Sequence, residues 1–391
     1  MAGYFGRDRM KRIVTCAALL LVCLRLAVPG QAAQPEAAGK SALLMDVQTG
    51  TVLYEKNAHE RLSPASVTKV MTMLLIMEAV DSGRIALTDT VTASETAAAK
   101  GGSQIFLKAG ETMSVHDMLK SIAVSSANDC ACAMAEHIAG SEEAFVGMMN
   151  EKAAALGMED THFVNCTGLD DGPGAENHKT CAYDIALMSR ELLKNHPGIK
   201  NYTTIWMDTV RNGSFGLSNT NKLVRFYQGA TGLKTGFTSG AGYCLSATAE
   251  REGMELIAVV MGAESSAIRN GACKQLLDYG FANYAVICPE LTEVPAIPVT
   301  LGKSSQVSAV LGDSAGLLID KGQKSGITTQ ITTEEAVTAP VSRGQRIGTL
   351  TLKAGEQVLK EVPLVAGESV ERLSWGELFA MVLRRAAMAK V

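Results

Sequence analysis

Ser63-Pro64-Ala65-Ser66-Val67-Thr68-Lys69 leads into Val70-Met71-Thr72-Met73-Leu74-Leu75-Ile76-Met77, an almost wholly apolar run. From about Pro64 to Val80 the chain reads as a helix buried on most sides, with Gly83 as its stop. A serine and a lysine three positions apart share one side of a helix. The serine falls in the first turn, among backbone N–H groups that favour a developing anion. A lysine kept partly dry has a lowered pKa and can act as a base. Taken alone, the tetrad reads equally well as a helix cap with an incidental lysine.

Two further short sequences add to it. Ser126-Ala127-Asn128 lies at a break inside a mainly helical region, Val115 to Gly157. There Ser126 can relay a proton and the Asn128 amide can bind a peptide group, or the motif is a helix N-cap. Lys234-Thr235-Gly236 lies on an expected strand. Lys234 and Gly236 share a face there, and a glycine leaves room for a ligand backbone. Lysine adds a positive charge and Thr235 a hydroxyl, both suited to a carboxylate. The bland alternative is a solvated edge-strand lysine before a turn. Ser126 lies 60 residues beyond Ser66 and Lys234 lies 168 beyond it, so only folding can bring the three together.

The elements around these motifs indicate an α+β fold. Ser41–Asp46 and Thr51–Tyr54 form an expected hairpin around Gln48-Thr49-Gly50. Thr180–Leu193 reads as a helix. Thr231–Thr235, Tyr243–Ala249 and Leu256–Met261 read as antiparallel strands, and Asn270–Tyr284 as a helix. One sheet is expected from the first hairpin and the late strands. Beyond Cys288-Pro289 the chain turns rich in Val, Thr and Gly, with short alternating runs at 306–310, 327–332, 346–352 and 358–362. That pattern predicts a small all-β domain.

Composition bounds the possibilities. The 391 residues are 47% hydrophobic and 19% charged, enough for packed cores and for two or three domains. The net charge is −4 and aromatics are 5%, so nucleic acid is not an expected partner. Residues 1–33 read as a signal peptide: a basic start (Arg7, Arg9, Lys11, Arg12), an apolar run Ile13–Leu24, and the small residues around Ala32 and Ala33. Arg25 and the shortness of the run argue against a retained span. Cleavage there would leave a net charge of −8 and seven cysteines: Cys130, Cys132, Cys166, Cys181, Cys244, Cys273 and Cys288. Their odd number and scattered spacing favour small buried hydrophobes over a disulfide framework or a zinc site.

The last segment, 374–391, places Trp375, Leu378, Phe379, Val382, Leu383 and Ala386 on one helical face, with Arg384, Arg385 and Lys390 off it. Such a cationic amphipathic helix either lies in a membrane interface or packs on its own domain.

The three motifs, in this order and in these contexts, form a set shared by penicillin-binding proteins and class A β-lactamases. The chain resembles the low-molecular-mass penicillin-binding proteins, specifically the D-alanyl-D-alanine carboxypeptidases (serine peptidase family S11). The resemblance runs through Ser63-Pro64-Ala65-Ser66, Gly102-Ser103-Gln104-Ile105-Phe106-Leu107, Ala135-Glu136-His137-Ile138-Ala139-Gly140 and Lys234-Thr235-Gly236-Phe237-Thr238. It implies a penicillin-binding/β-lactamase-like transpeptidase domain at 38–286, with an antiparallel sheet and a helical cluster. A small β-rich domain at 289–370 and an amphipathic membrane-anchor helix at 374–391 would follow.

It implies, too, that Ser66 is acylated by the terminal D-Ala-D-Ala of a peptidoglycan stem pentapeptide, with Lys69 taking its proton and Ser126 passing one to the leaving amine. Asn128, Lys234, Thr235, Gly236 and Phe237 would bind substrate, with the Ser66 and Phe237 N–H groups as the oxyanion hole. β-Lactams would be covalent inhibitors, and no metal or organic cofactor is needed. This sequence has Ala127 where many relatives carry glycine, and Phe237 where some carry histidine. Arg225 is not assigned as a carboxylate ligand. The alternatives are a D,D-endopeptidase and, further off, a β-lactamase, whose glutamate base has no counterpart in the stretch His162–Cys166.

Overall fold

The computed structural model describes residues 34–289, 291, 296–312 and 316–388. The expected signal peptide and Lys390 lie outside the described residues, and the fold below belongs to the unit that begins at Glu36. Its centre is a five-stranded antiparallel sheet. In spatial order the strands are Val52–Lys56, Ser41–Asp46, Met254–Ala263, Gly242–Arg251 and Ala230–Thr238. The first hairpin therefore joins the late strands, as its sequence suggested.

Within the inner strands, the runs Ala42–Met45 and Leu256–Met261 are apolar without interruption because both faces of the sheet are covered. Side chains alternate sides along a strand. Leu43, Met45, Ile257, Val259 and Met261 face one core. Ala42, Leu44, Leu256, Ala258 and Val260 face the other. The second core is closed by the helix Ser266–Asn283 through Cys273, Leu276 and Leu277. The first is closed by a helical cluster: Lys69–Asp81, Val115–Ser125, Asn128–Ala139, Glu142–Ala155 and Ala182–Asn195. The Lys69–Asp81 helix is buried from Lys69 through Met77, as an all-round apolar helix must be.

Two details differ from the sequence reading. The expected helix from Pro64 begins as a separate 3-10 turn, Ala65–Thr68, and becomes α-helical only at Lys69. The helical region after Val115 breaks twice, at Ser126-Ala127 and again at Gly140-Ser141, where the Ser141 hydroxyl caps the next helix. Small hairpins, such as Met207–Val210 with Phe215–Ser218, carry too few alternations to stand out in the sequence.

From Tyr284 to Ala366 the described regular elements are strands apart from one 3-10 turn, Lys321–Gly326. Tyr284–Ile287 pairs with Leu317–Asp320. A four-stranded sheet runs Ala309–Leu311, Gln357–Ala366, Arg346–Ala354, Ile327–Thr333. A smaller sheet centres on Ile297–Thr300. Two aliphatic cores fill this region, one around Ile347 and Val370 and one of Leu350, Leu352, Val362 and Leu364. The terminal helix Trp375–Met388 is started by a capping box: the Glu377 carboxylate accepts from the Ser374 backbone N–H at 2.8 Å, and the Ser374 hydroxyl accepts from the Glu377 N–H at 3.4 Å. Its Trp375, Phe379, Val382 and Leu383 are exposed. Among the described residues, no helix is long and apolar enough to cross a membrane.

Candidate active site

Ser66 sits in the 3-10 turn, where residues i and i+3 eclipse one another more closely than in an α-helix. Lys69 is thereby stacked on it, and Lys69 Nζ donates to Ser66 Oγ at 3.0 Å. The ammonium also donates to the Thr167 carbonyl at 2.8 Å. Lys69 is fully buried, and burial lowers its pKa to about 7, against the opposing pull of nearby Cys166 and Asp129. A substantial share of the molecules thus carries a free amine beside the serine hydroxyl near neutral pH.

Ser126 ends the Val115–Ser125 helix in the left-handed region, at φ 63°. A non-glycine residue pays strain for this conformation, a common mark of functional positions. Asn128 opens the next helix. Its N–H donates to the Ser103 carbonyl at 2.7 Å and its amide Nδ2 to the Gly101 carbonyl at 2.7 Å. Asp129 receives the Ile105 and Leu107 N–H groups at 3.1 and 2.9 Å, so the Gly101–Leu107 loop is pinned to this motif. Ser126 Oγ and Asn128 Oδ1 are buried without a hydrogen-bond partner, a state shared among the described residues only by Ser41 Oγ and Asp46 Oδ2. Buried unpaired oxygens are costly, and each has an open acceptor position.

Lys234 lies on the edge strand of the sheet, yet it is buried, not solvated. Its Nζ donates to the Thr235 carbonyl at 2.9 Å. Burial, then the neighbouring cations of Lys69 and Arg269, push its pKa well below the usual lysine value. Thr235 Oγ1 lies 2.6 Å from Thr220 Oγ1. Gly236 is packed against the nucleophile's turn. A Cβ there would stand 2.7 Å from the Pro64 carbonyl oxygen and 3.0 Å from the Ser66 nitrogen, so only glycine lets this strand approach. Phe237, next along, is half exposed, with its ring 4.2 Å from that of Tyr243.

The contacts run in one line from the nucleophile's turn to the Ser126 motif. Gly236 touches the Ser66 turn. Thr220 bonds Thr235 on one side, and on the other its N–H donates to the Val124 carbonyl, two residues before Ser126. Ser66, Lys69, Ser126, Asn128, Lys234, Thr235 and Gly236 are thus drawn into one neighbourhood. The surroundings hold three buried basic groups, Lys69, Lys234 and Arg269, whose charged forms an anionic ligand end would favour.

The sequence of the chain from 29 to 265 matches the D-alanyl-D-alanine carboxypeptidase family. The chain belongs to that family. Residues 292–372 match the C-terminal domain of penicillin-binding protein 5. D-Alanyl-D-alanine carboxypeptidase DacF of Bacillus subtilis is 44% identical over 339 residues, covering 85% of this chain and 86% of that one. Among solved structures, penicillin-binding protein 5 from Haemophilus influenzae superposes with a TM-score of 0.70 at 30% identity, over 87% of this chain and 99% of that one. Penicillin-binding protein D2 from Listeria monocytogenes, in its ampicillin-bound form, gives 0.56 at 31% identity, over 63% of this chain and 99% of that one. The α+β architecture and the serine-enzyme family expected from the three motifs both stand.

Several site residues escaped the sequence reading. The partner of Lys69 is a backbone carbonyl, which leaves no side-chain signature. Thr220 lies in Asn219-Thr220-Asn221, which resembles any turn. Arg269, on a helix far along the chain, supplies a cation near Lys234, whereas Arg225 is exposed. Of the seven cysteines, six are buried and Cys288 is exposed, and all are free.

Proposed function

We infer that this chain acts as a serine D,D-carboxypeptidase on peptidoglycan stem pentapeptides and is acylated by β-lactams at Ser66. The observation that carries the reading is the buried Lys69 amine 3.0 Å from the Ser66 hydroxyl, with a second buried lysine beside it. Ser66 Oγ attacks the carbonyl carbon between the two terminal D-alanines and its proton passes to Lys69 Nζ. The N–H groups of Ser66 and Phe237 receive the oxyanion, an interaction typically worth roughly 3–4 kcal/mol. The C–N bond breaks as Ser126 relays the proton held on Lys69 to the leaving D-alanine amine, so that Ser126 stays protonated and Lys69 is again a free amine. Water then hydrolyses the ester, and Ser66 is restored. Asn128 holds the substrate backbone, and Lys234 with Thr235 binds the terminal carboxylate, whose charge offsets the cost of their burial.

Labelling with a fluorescent penicillin, for the wild type and for Ser66→Ala, tests the nucleophile. A stable adduct is expected on the wild type alone; labelled Ser66→Ala, or rapid turnover of the drug, overturns the reading. Release of D-alanine from a pentapeptide, with no monomers formed from cross-linked dimers, separates carboxypeptidase from endopeptidase action.

We also propose that the chain is exported and that its terminal helix rests on the membrane. The exposed stripe Trp375, Phe379, Val382, Leu383 supports this, since an amphipathic helix with unburied apolar residues gains by entering a lipid interface. The chain ending at Val370 is expected to acylate at the full-length rate but to lose cosedimentation with anionic lipid vesicles. Equal sedimentation of both forms rejects the anchor.

A further inference from the structure

A buried histidine outside the three motifs is wired to the turn that carries Ser66. His178 follows the short 3-10 turn Ala175–Asn177. Its Nδ1 accepts from the Val164 N–H at 3.0 Å, and its Nε2 lies 2.8 Å from Thr68 Oγ1. Thr68 Oγ1 in turn donates to the Ala65 carbonyl at 2.8 Å. The directions are settled by the end members. Val164 offers only a donor, so Nδ1 is the acceptor and the ring proton sits on Nε2. Thr68 has one hydroxyl hydrogen, and it goes to Ala65. The chain of donors runs from Val164 through His178 and Thr68 to Ala65 without a break.

Ala65 is the residue that needs holding. Its φ is +48°, a left-handed conformation that an alanine does not keep without support. It immediately precedes Ser66. A second constraint arrives on the same carbonyl: a Cβ at Gly168 would fall 1.9 Å from the Ala65 oxygen, so the 162–168 loop lies directly on it. That loop also supplies the Thr167 carbonyl to Lys69 and the Val164 N–H to His178.

We propose that His178 is a positioning residue for the nucleophile: acting through the Thr68 hydroxyl, it holds the Ala65 carbonyl and so sets the distance from Ser66 Oγ to Lys69 Nζ. Burial, together with the charges of His162, Lys179 and Lys69, brings the pKa of His178 to about 4. The ring therefore stays neutral wherever Lys69 can act as a base, and the donor order is kept. The imidazole touches no reacting atom, and its effect is confined to the geometry of the Ser66 turn.

The inference rests on Ser66 being the acylated residue, and a Ser66→Ala control checks that separately. The second-order rate of acylation by penicillin is measured on the full chain for Thr68→Val, Thr68→Ser, His178→Gln and the double variant Thr68→Val/His178→Gln. Valine keeps the shape of threonine but has no hydroxyl, so Thr68→Val is expected to stay folded and to acylate at least tenfold more slowly. Thr68→Ser, which retains the hydroxyl, is expected within threefold of the wild type. His178→Gln is expected to lose about as much as Thr68→Val, and the double variant no more than the worse single one, because both break one chain. A wild-type rate for Thr68→Val, equal losses for Thr68→Ser and Thr68→Val, or losses that multiply in the double variant each overturn the proposal. Should His178→Gln not fold, the valine–serine comparison decides alone.

Discussion

The crevice around Ser66 and the strand-rich region after Tyr284 treat charge in opposite ways. In the crevice two lysines are buried, and their hydrogen bonds go to Ser66 and to the carbonyls of Thr167 and Thr235. Two oxygens of the Ser126–Asn128 motif are buried unpaired. Ala65 and Ser126 are held in left-handed conformations. In the strand-rich region, the described cores are purely aliphatic, and the ion pair of Lys303 with Glu371 at 2.6 Å is open to solvent. The first arrangement costs stability and yields reactivity. The second contributes stability with no chemistry. Proteins commonly strain a site and compensate elsewhere in the fold.

The comparison breaks most visibly at Lys69. Lys69→Met removes the base but fills the same space with an apolar chain. Acylation by penicillin is expected to fall by about 10³-fold, while the thermal midpoint stays level or rises, because the cost of burying a basic group has been removed. A midpoint lowered by many degrees would show that Lys69 supports the fold and refute the contrast.

pH sharpens it next. The folded pKa of Lys69 is lowered to about 7, so the amine is neutral above that value and protonated below it. The acylation rate of the wild type should rise about tenfold per pH unit below 7 and level off above it. Stability follows the same group with a definite sign. Between about 7 and the usual lysine value of 10.5 the unfolded chain binds more protons, so this group's contribution improves as pH rises through that window. A flat rate profile from pH 5 to 9 would remove Lys69 from the role of base.

The smallest catalytic effect is expected in the strand-rich region. Leu350→Ala should destabilise that region by about 3 kcal/mol through lost burial and a cavity, read by denaturant unfolding. The acylation rate of the folded protein should not change. A slower rate in native buffer would mean that this region shapes the crevice.

Much of the site was legible because its chemistry is carried by side chains at short, regular spacings. Ser66 and Lys69 are three apart on a helical path, and Ser126 and Asn128 flank a break. Lys234 and Gly236 alternate on a strand. Short strand-like runs separated by turn residues likewise revealed the main sheet, and the apolar run after Lys69 revealed the buried helix beside it. The 3-10 start at Ala65 was not legible, since a 3-10 turn and a first α-turn have the same sequence preferences. His178 gave no signal either, because its partners are a backbone N–H and a hydroxyl on distant segments.

The amino-acid sequence by itself determined which groups are chemically available and which segments must be hidden from water, because residue type and periodicity are local properties. Only the tertiary structure decided that Lys69 is dry enough to lose its proton near neutrality, that a glycine strand presses on the Ser66 turn, and that a histidine reaches it from the segment between the Glu142–Ala155 and Ala182–Asn195 helices. Those are matters of distance and dielectric between residues far apart in the chain, and folding alone sets them.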